Sequence, residues 1–185
     1  MDKPLRTEFQ LDGVEMRAWR EDDVDAALEI VLENREHLQT YMQWMTPNYS
    51  IIDARKFIAE GIKNRLDKLN LGLAVVRDGK LIGSTGFNRF DWKARVCEIG
   101  YWIDHLHEGK GIVTKACKAM IEYAFDELEM NRVEIRCSAE NTRSAAIPER
   151  LGFTKEGSLR QAEVINGRPH DFLIFGLLAE DERLW

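Results

Sequence analysis

Between residues 95 and 137 the apolar residues change their spacing twice. Residues 95–103 read as a strand, residues 109–128 carry a helical stripe of Val113, Ala116, Cys117, Met120 and Ala124, and Val133, Ile135 and Cys137 alternate again. A chain that alternates in this way must pack helices against a sheet around a shared core, which excludes all-helical and all-strand folds.

The rest of the chain extends this pattern. Residues 71–77 and 80–90 are strand-like runs joined by Asp78-Gly79, and residues 153–165 and 169–178 fold about Asn166-Gly167. Both dipeptides accept the positive backbone angles of a two-residue hairpin. Val14, Met16 and Ala18 predict a first strand after Asp12-Gly13. Asp22 is the expected N-cap of a helical run through Val24, Leu28, Val31, Leu38 and Met42, which Pro47 stops. Ser50 and Asp53 form a capping-box pattern before a helix with Phe57, Ile58, Ile62, Leu66 and Leu69 on its apolar face. Asn141 caps a short helix that ends near Leu151, where Gly152 fits the residue after the C-terminus. The order βααβββαβαββ, without repeat or linker, predicts one α+β domain over residues 1–185 on a mixed, mostly antiparallel sheet.

Composition narrows the function. At 185 residues and 44% hydrophobic the chain can bury a sizeable core, and no run approaches the ~20 apolar residues of a membrane span. No membrane partner is expected. The N-terminus lacks the apolar segment of a secretory signal, which predicts a cytoplasmic protein. Cys97, Cys117 and Cys137 are odd in number and widely spaced, so they read as buried thiols rather than a disulfide framework or zinc site. His105 and His107 lack further ligands at recognisable spacing, and no metal is expected. A net charge of -6 without a basic block argues against nucleic acid and is compatible with a cationic acceptor.

The densest chemical signal is the strand-to-helix transition from Glu98 to Thr114. Gly109 and Gly111 let backbone N–H groups turn toward a ligand, and the helix start that follows adds unsatisfied donors and a positive dipole end. Such a loop binds anions. The dinucleotide pattern fails because Thr114 stands where its third glycine is needed, and the P-loop pattern fails because Gly111 follows Gly109-Lys110. On spacing alone a plain tight turn competes with both.

The wider pattern decides for a ligand. Glu98-Ile99-Gly100-Tyr101-Trp102-Ile103, Glu108-Gly109-Lys110-Gly111-Ile112-Val113, Asn131-Arg132-Val133, Glu140-Asn141-Thr142-Arg143-Ser144 and Pro148-Glu149-Arg150-Leu151-Gly152-Phe153 together resemble the GCN5-related N-acetyltransferases. The likeness is nearest to the branch that acetylates ribosomal-protein N-termini, particularly the serine type. Glu108 and Val113 depart from the family's loop; a carboxylate beside a pyrophosphate should turn its side chain away, and backbone amides would carry the contact.

That resemblance implies the family's sheet, in which two neighbouring strands splay to admit acetyl-CoA, the cosubstrate. It implies that Gly109, Lys110, Gly111, Ile112, Val113 and Thr114 hold the diphosphate, that Trp102 and Ile103 offer backbone groups to the pantetheine and thioester, and that Asn141 contacts the pantetheine. Core packing for Trp102 and capping for Asn141 are the commoner uses of such residues. Ser144 would protonate the departing thiolate, and Pro148, lacking an N–H, leaves the Ser144 carbonyl without its helical donor. Glu163 would be the general base through water, with Glu98 the rival. Trp44 would wall the acceptor pocket, although helical aromatics usually fill cores.

The chemistry is modest. A thiol of pKa ~8.5 leaves with little acid assistance, and a peptide α-amine of pKa ~8 loses its proton far more readily than a lysine ammonium at ~10.4. The expected activity is direct acetyl transfer to a primary amine, foremost the N-terminus of a ribosomal protein starting with Ser or Ala. A polyamine or aminoglycoside acetyltransferase and a non-catalytic CoA-binding module are the alternatives, and the family suggests a homodimer.

Overall fold

The computed structural model describes residues 4–185. Its eight strands are β1 (Glu8–Leu11), β2 (Val14–Ala18), β3 (Leu71–Arg77), β4 (Lys80–Asp91), β5 (Val96–Ile103), β6 (Arg132–Ser138), β7 (Thr154–Ile165) and β8 (Arg168–Leu178). They form one sheet in the order β1-β2-β3-β4-β5-β6-β8-β7. Only β5 and β6 run parallel, as the helical crossover between them requires. Five helices flank the sheet: α1 (Val24–Glu33), the single turn α2 (Arg35–Leu38), α3 (Ile51–Leu66), α4 (Ile112–Glu122) and α5 (Thr142–Arg150). None of the described helices is long and apolar enough to cross a membrane.

The main core lies between the sheet and α4. Ile112, Ala116, Cys117, Met120 and Ile121 of α4 meet Cys97, Ile99, Val133, Ile135, Phe175 and Leu177 of the sheet. All three cysteines are buried and unpaired, and burial holds the Cys97 thiol up to about 12. The other face is covered only in part: Trp19, Ala27, Ile58, Ala74 and Val76 pack under α1 and α3.

Both hairpin dipeptides adopt the predicted geometry, with φ of 51° and 74° at Asp78-Gly79 and 49° and 75° at Asn166-Gly167. The Ser50 capping box is present, with Ser50 N–H donating to Asp53 Oδ2 over 2.9 Å. The N-terminal third departs from the expectation. A further strand, β1, pairs with β2 through Asp12-Gly13, seating Phe9 edge-on against Tyr123. The N-cap position of α1 falls at Asp23, not Asp22, and makes no side-chain bond to the helix: its carboxylate accepts Arg20 N–H at 2.8 Å and the two terminal nitrogens of Arg17 at 2.7 Å.

The expected long first helix is broken at Asn34. There the side chain turns back to the Ile30 carbonyl (2.9 Å) and accepts the His105 backbone N–H (2.9 Å). The segment beyond α2 is irregular and leads to α3. The apolar face of α3 is narrower than expected: Ala54 and Ile58 are buried, whereas Phe57, Leu66 and Leu69 are exposed.

Candidate active site

β5 and β6 pair only from Val96 with Arg132 to Ile99 with Ile135. Past that point β5 remains bonded to β4 as far as Ile103 with Gly83, and β6 to β8 as far as Ser138 with Phe172. The two facing edges, residues 100–103 and 136–138, therefore part and leave main-chain groups without a strand partner. Irregular or unpaired backbone of this kind must be satisfied by something that enters the gap.

A cavity of about 720 Å³ opens there. It brings together Glu98, Trp102, Ser144, Glu163, Asn141 and Trp44, drawn from β5, α5, β7 and the segment before α3. Ile103 is not in its lining; it is buried at the end of β5. Residues 109–114 also lie outside the cavity wall, at the start of α4.

The loop has the conformation its glycines suggest. Gly109 has φ 70° and Gly111 has φ 73°, the left-handed region that costs other residues about 1–2 kcal/mol. Gly111 caps α4, whose first residue Ile112 turns its side chain into the core. Thr114 Oγ1 is 3.4 Å from Arg150 Nη2, and Lys115 pairs with Asp12 at 3.1 Å. Lys110 is exposed and Val113 half-buried. The Glu108 carboxylate bonds His37 Nε2 at 3.1 Å and Arg143 Nη1. A helix start whose first amides have no helical acceptor, with the exposed Lys110 and Arg150 nearby, can hold an anion such as a diphosphate.

Ser144 sits one turn into α5, its N–H accepted by Asn141 Oδ1 at 3.0 Å, so Asn141 does cap the helix. Tyr101 is the residue that sequence reasoning missed. Its hydroxyl donates to the Ser144 carbonyl over 3.2 Å and stands 3.1 Å from Ser144 Oγ. Burial pushes the phenol well above its ordinary range, which keeps it a neutral donor.

The two carboxylates differ. Glu98 accepts from Asn88 Nδ2 at 3.1 Å and Arg89 Nε at 3.2 Å, and pairs with Arg136 at 3.5 Å. Glu163 has no ion-pair or side-chain hydrogen-bond partner among the described residues. It follows a bulge in β7 where Leu159 lies opposite Phe172 and Glu163 opposite His170. Gln161, with φ 49°, donates its N–H there to Asp171 Oδ1 at 2.8 Å. Bulges re-aim side chains, and this one brings Glu163 to the cavity. Burial and the Glu98 charge raise its pKa against the pull of Arg136. Glu98 is thus tied to Asn88, Arg89 and Arg136, whereas Glu163 has no such partner and is poised to take a proton.

Trp44 is 41% exposed, in an irregular segment rather than a helix, with ring centroids 5.8 Å from Tyr49 and 6.2 Å from Trp102. No group of three or more His, Cys, Asp or Glu that could hold a metal occurs among the described residues.

Residues 14–154 match the family model for the acetyltransferase (GNAT) domain. Over 171 residues the chain is 34% identical to YdaF of Bacillus subtilis (strain 168), which is assigned by name alone to ribosomal N-acetylation; 92% of this chain and 93% of that protein are covered. It is 28% identical to the ribosomal-protein-serine acetyltransferase of Escherichia coli (strain K12), covering 92% and 96% of the two chains. Among solved structures, RimL, an acetyltransferase of the ribosomal L7/L12 α-amine, was crystallised with coenzyme A. It superposes with a TM-score of 0.85 at 29% identity over 91% of this chain and 95% of that one.

Proposed function

The chain belongs to the GNAT acetyltransferase family, and on that premise we propose that it transfers acetyl from acetyl-CoA to the N-terminal α-amine of a ribosomal protein beginning with Ser or Ala. The observation that carries this reading is the parting of β5 from β6 beyond Ile99, directly beside Ser144 and Glu163. Acetyl-CoA supplies the activated acetyl group. Residues 109–114 bind its diphosphate through the amides that open α4, with Arg150 and Lys110 adding charge. The free edge of β5 at Trp102 and Ile103 offers main-chain donors to the thioester oxygen, and Asn141 borders the pantetheine path.

Glu163 takes the proton of the acceptor ammonium through water. Its raised pKa lies closer to that of a peptide amine of ~8 than an ordinary glutamate's does, which makes the transfer less uphill. Ser144, held in place by Tyr101 and the Asn141 cap, gives its hydroxyl proton to the departing thiolate and regains one through water from the second proton that the amine nitrogen loses as the amide forms. Because amine and thioester meet directly, no enzyme nucleophile is needed, and positioning supplies most of the rate. The buried, high-pKa thiols of Cys97 and Cys117 are poor nucleophiles.

The likeness to the serine acetyltransferase of E. coli and to RimL supports the choice of acceptor. Thiol release from acetyl-CoA should be faster with Ser- and Ala-initiated peptides than with spermidine. Faster turnover of spermidine would assign the chain to small amines, and coenzyme A binding without turnover of any amine would make it a binding module.

A further inference from the structure

Three glycines stand in register across the sheet under the cavity: Gly72 of β3 opposite Gly86 of β4, and Gly86 opposite Gly100 of β5. At two of them the space of a missing Cβ serves a flat neighbour. The Trp19 indole lies against Gly72, its Cδ1 3.4 Å from where a Cβ would stand, and the Asn88 amide lies over Gly100. At Gly86, φ is 140° and a Cβ would strike the Leu71 carbonyl. The result is a level floor of indole, bare backbone and amide, running from the parted strands toward β2.

The far end of this floor holds two unpartnered polar atoms. Trp19 is 4% exposed, and its Nε1, 3.7 Å from where a Gly72 Cβ would stand, has no hydrogen-bond partner among the described residues; neither has the buried Asn70 Oδ1. Asn70 precedes Gly72 by two residues, on a segment that stays paired with β4 through Phe90 N–H to Leu69 O, so it shares the face of Gly72. Both residues line the cavity. One neutral donor and one neutral acceptor together match a C=O and an N–H of a peptide backbone. An aliphatic polyamine offers ammonium donors only and leaves the indole N–H unmet.

We propose that this end of the cavity is a subsite for the peptide backbone of the acceptor: Trp19 Nε1 donates to a backbone carbonyl, and Asn70 Oδ1 accepts a backbone N–H. The proposal rests on the acetyl-transfer reading above. Strands spaced by ~4.8 Å put Gly72 roughly 10 Å from the open edge of β5, the reach of about three extended residues. The acceptor therefore lies extended over Gly100 and Gly86, with its third or fourth residue at Trp19. Phe57, which packs edge-on against the indole at 5.5 Å and is 45% exposed, swings aside to admit it.

The test compares the amides of Ser, Ser-Ala, Ser-Ala-Ala and Ser-Ala-Ala-Ala as acceptors, with spermidine in parallel. In the wild-type chain kcat/KM should rise about tenfold from one residue to four, the worth of one or two buried hydrogen bonds. Trp19→Phe keeps a ring on Gly72 and removes only the N–H; it should shrink that ratio to about threefold or less. Asn70→Ala should do the same and decides the matter if Trp19→Phe does not fold. A wild-type ratio near one, a ratio that survives the substitutions, or spermidine outrunning the longest peptide overturns the subsite. If coenzyme A binds but no amine is acetylated, the acetyl-transfer reading itself falls.

Discussion

Tyr101 replaces the backbone donor that Pro148 lacks: its hydroxyl bonds the Ser144 carbonyl, the group a residue-148 N–H would otherwise meet, and reaches Ser144 Oγ as well. One phenol thus repairs a helix defect and fixes the rotamer of the serine that faces the parted strands. Tyr101→Phe should leave the carbonyl orphaned, at a cost of about 1–2 kcal/mol in urea unfolding. It should also lower kcat roughly tenfold with KM for acetyl-CoA little changed, because the loop at α4 is untouched. Unaltered kcat would show that Ser144 needs no such support.

The pH dependence follows from the two carboxylates. Glu163 has its pKa raised, so its basic form, and the rate, should appear only as pH climbs through a value above the ordinary glutamate range. Glu163→Gln should lower kcat about 10²-fold and erase that acid limb. In Glu98→Gln the like charge disappears and Arg136 loses a partner; both effects lower the Glu163 pKa, and the limb should move to more acidic pH. A shift toward alkaline pH would contradict the assignment.

At Gly111 only the backbone angle is at issue, since nothing lies within 4 Å of the point where a Cβ would stand and φ is 73°. Gly111→Ala should therefore cost about 1–2 kcal/mol, a Tm loss of roughly 3–6 °C, through strain rather than collision. KM for acetyl-CoA should rise with it. Stability loss without a change in KM would detach the loop from cosubstrate binding.

What could be read from the residues divides along sequence distance. Asp78-Gly79, Asn166-Gly167 and the Ser50 cap are local, and each forms as its own chemistry dictates. Glu108 pairs with His37 and Arg143, 71 and 35 residues away, partners that no local pattern names. The bulge that aims Glu163 depends on Asp171 of the neighbouring strand, and Tyr101 meets Ser144 across 43 residues. No periodicity records such pairings. β1 was hidden for the same reason: Phe9 and Leu11 make a strand only because β2 folds back to pair with them.

Asn34 is the clearest case of a long-range contact overriding a local signal, and it carries the last prediction. A helical stripe runs past it, yet the helix stops because its amide serves the Ile30 carbonyl and the His105 N–H, 71 residues away. Its Oδ1 also lies 2.7 Å from His105 Nδ1, and the residue is 2% exposed. This joint ties the helical arm over the cavity to the turn that leads into the glycine loop. Asn34→Ala leaves the His105 N–H unmet, while the Ile30 carbonyl keeps the Asn34 backbone N–H at 3.1 Å, so stability should fall by about 1–2 kcal/mol in urea unfolding. With the arm loosened, KM for the peptide acceptor should rise more than KM for acetyl-CoA. Equal rises would mean that Asn34 supports the fold without setting the acceptor side of the cavity.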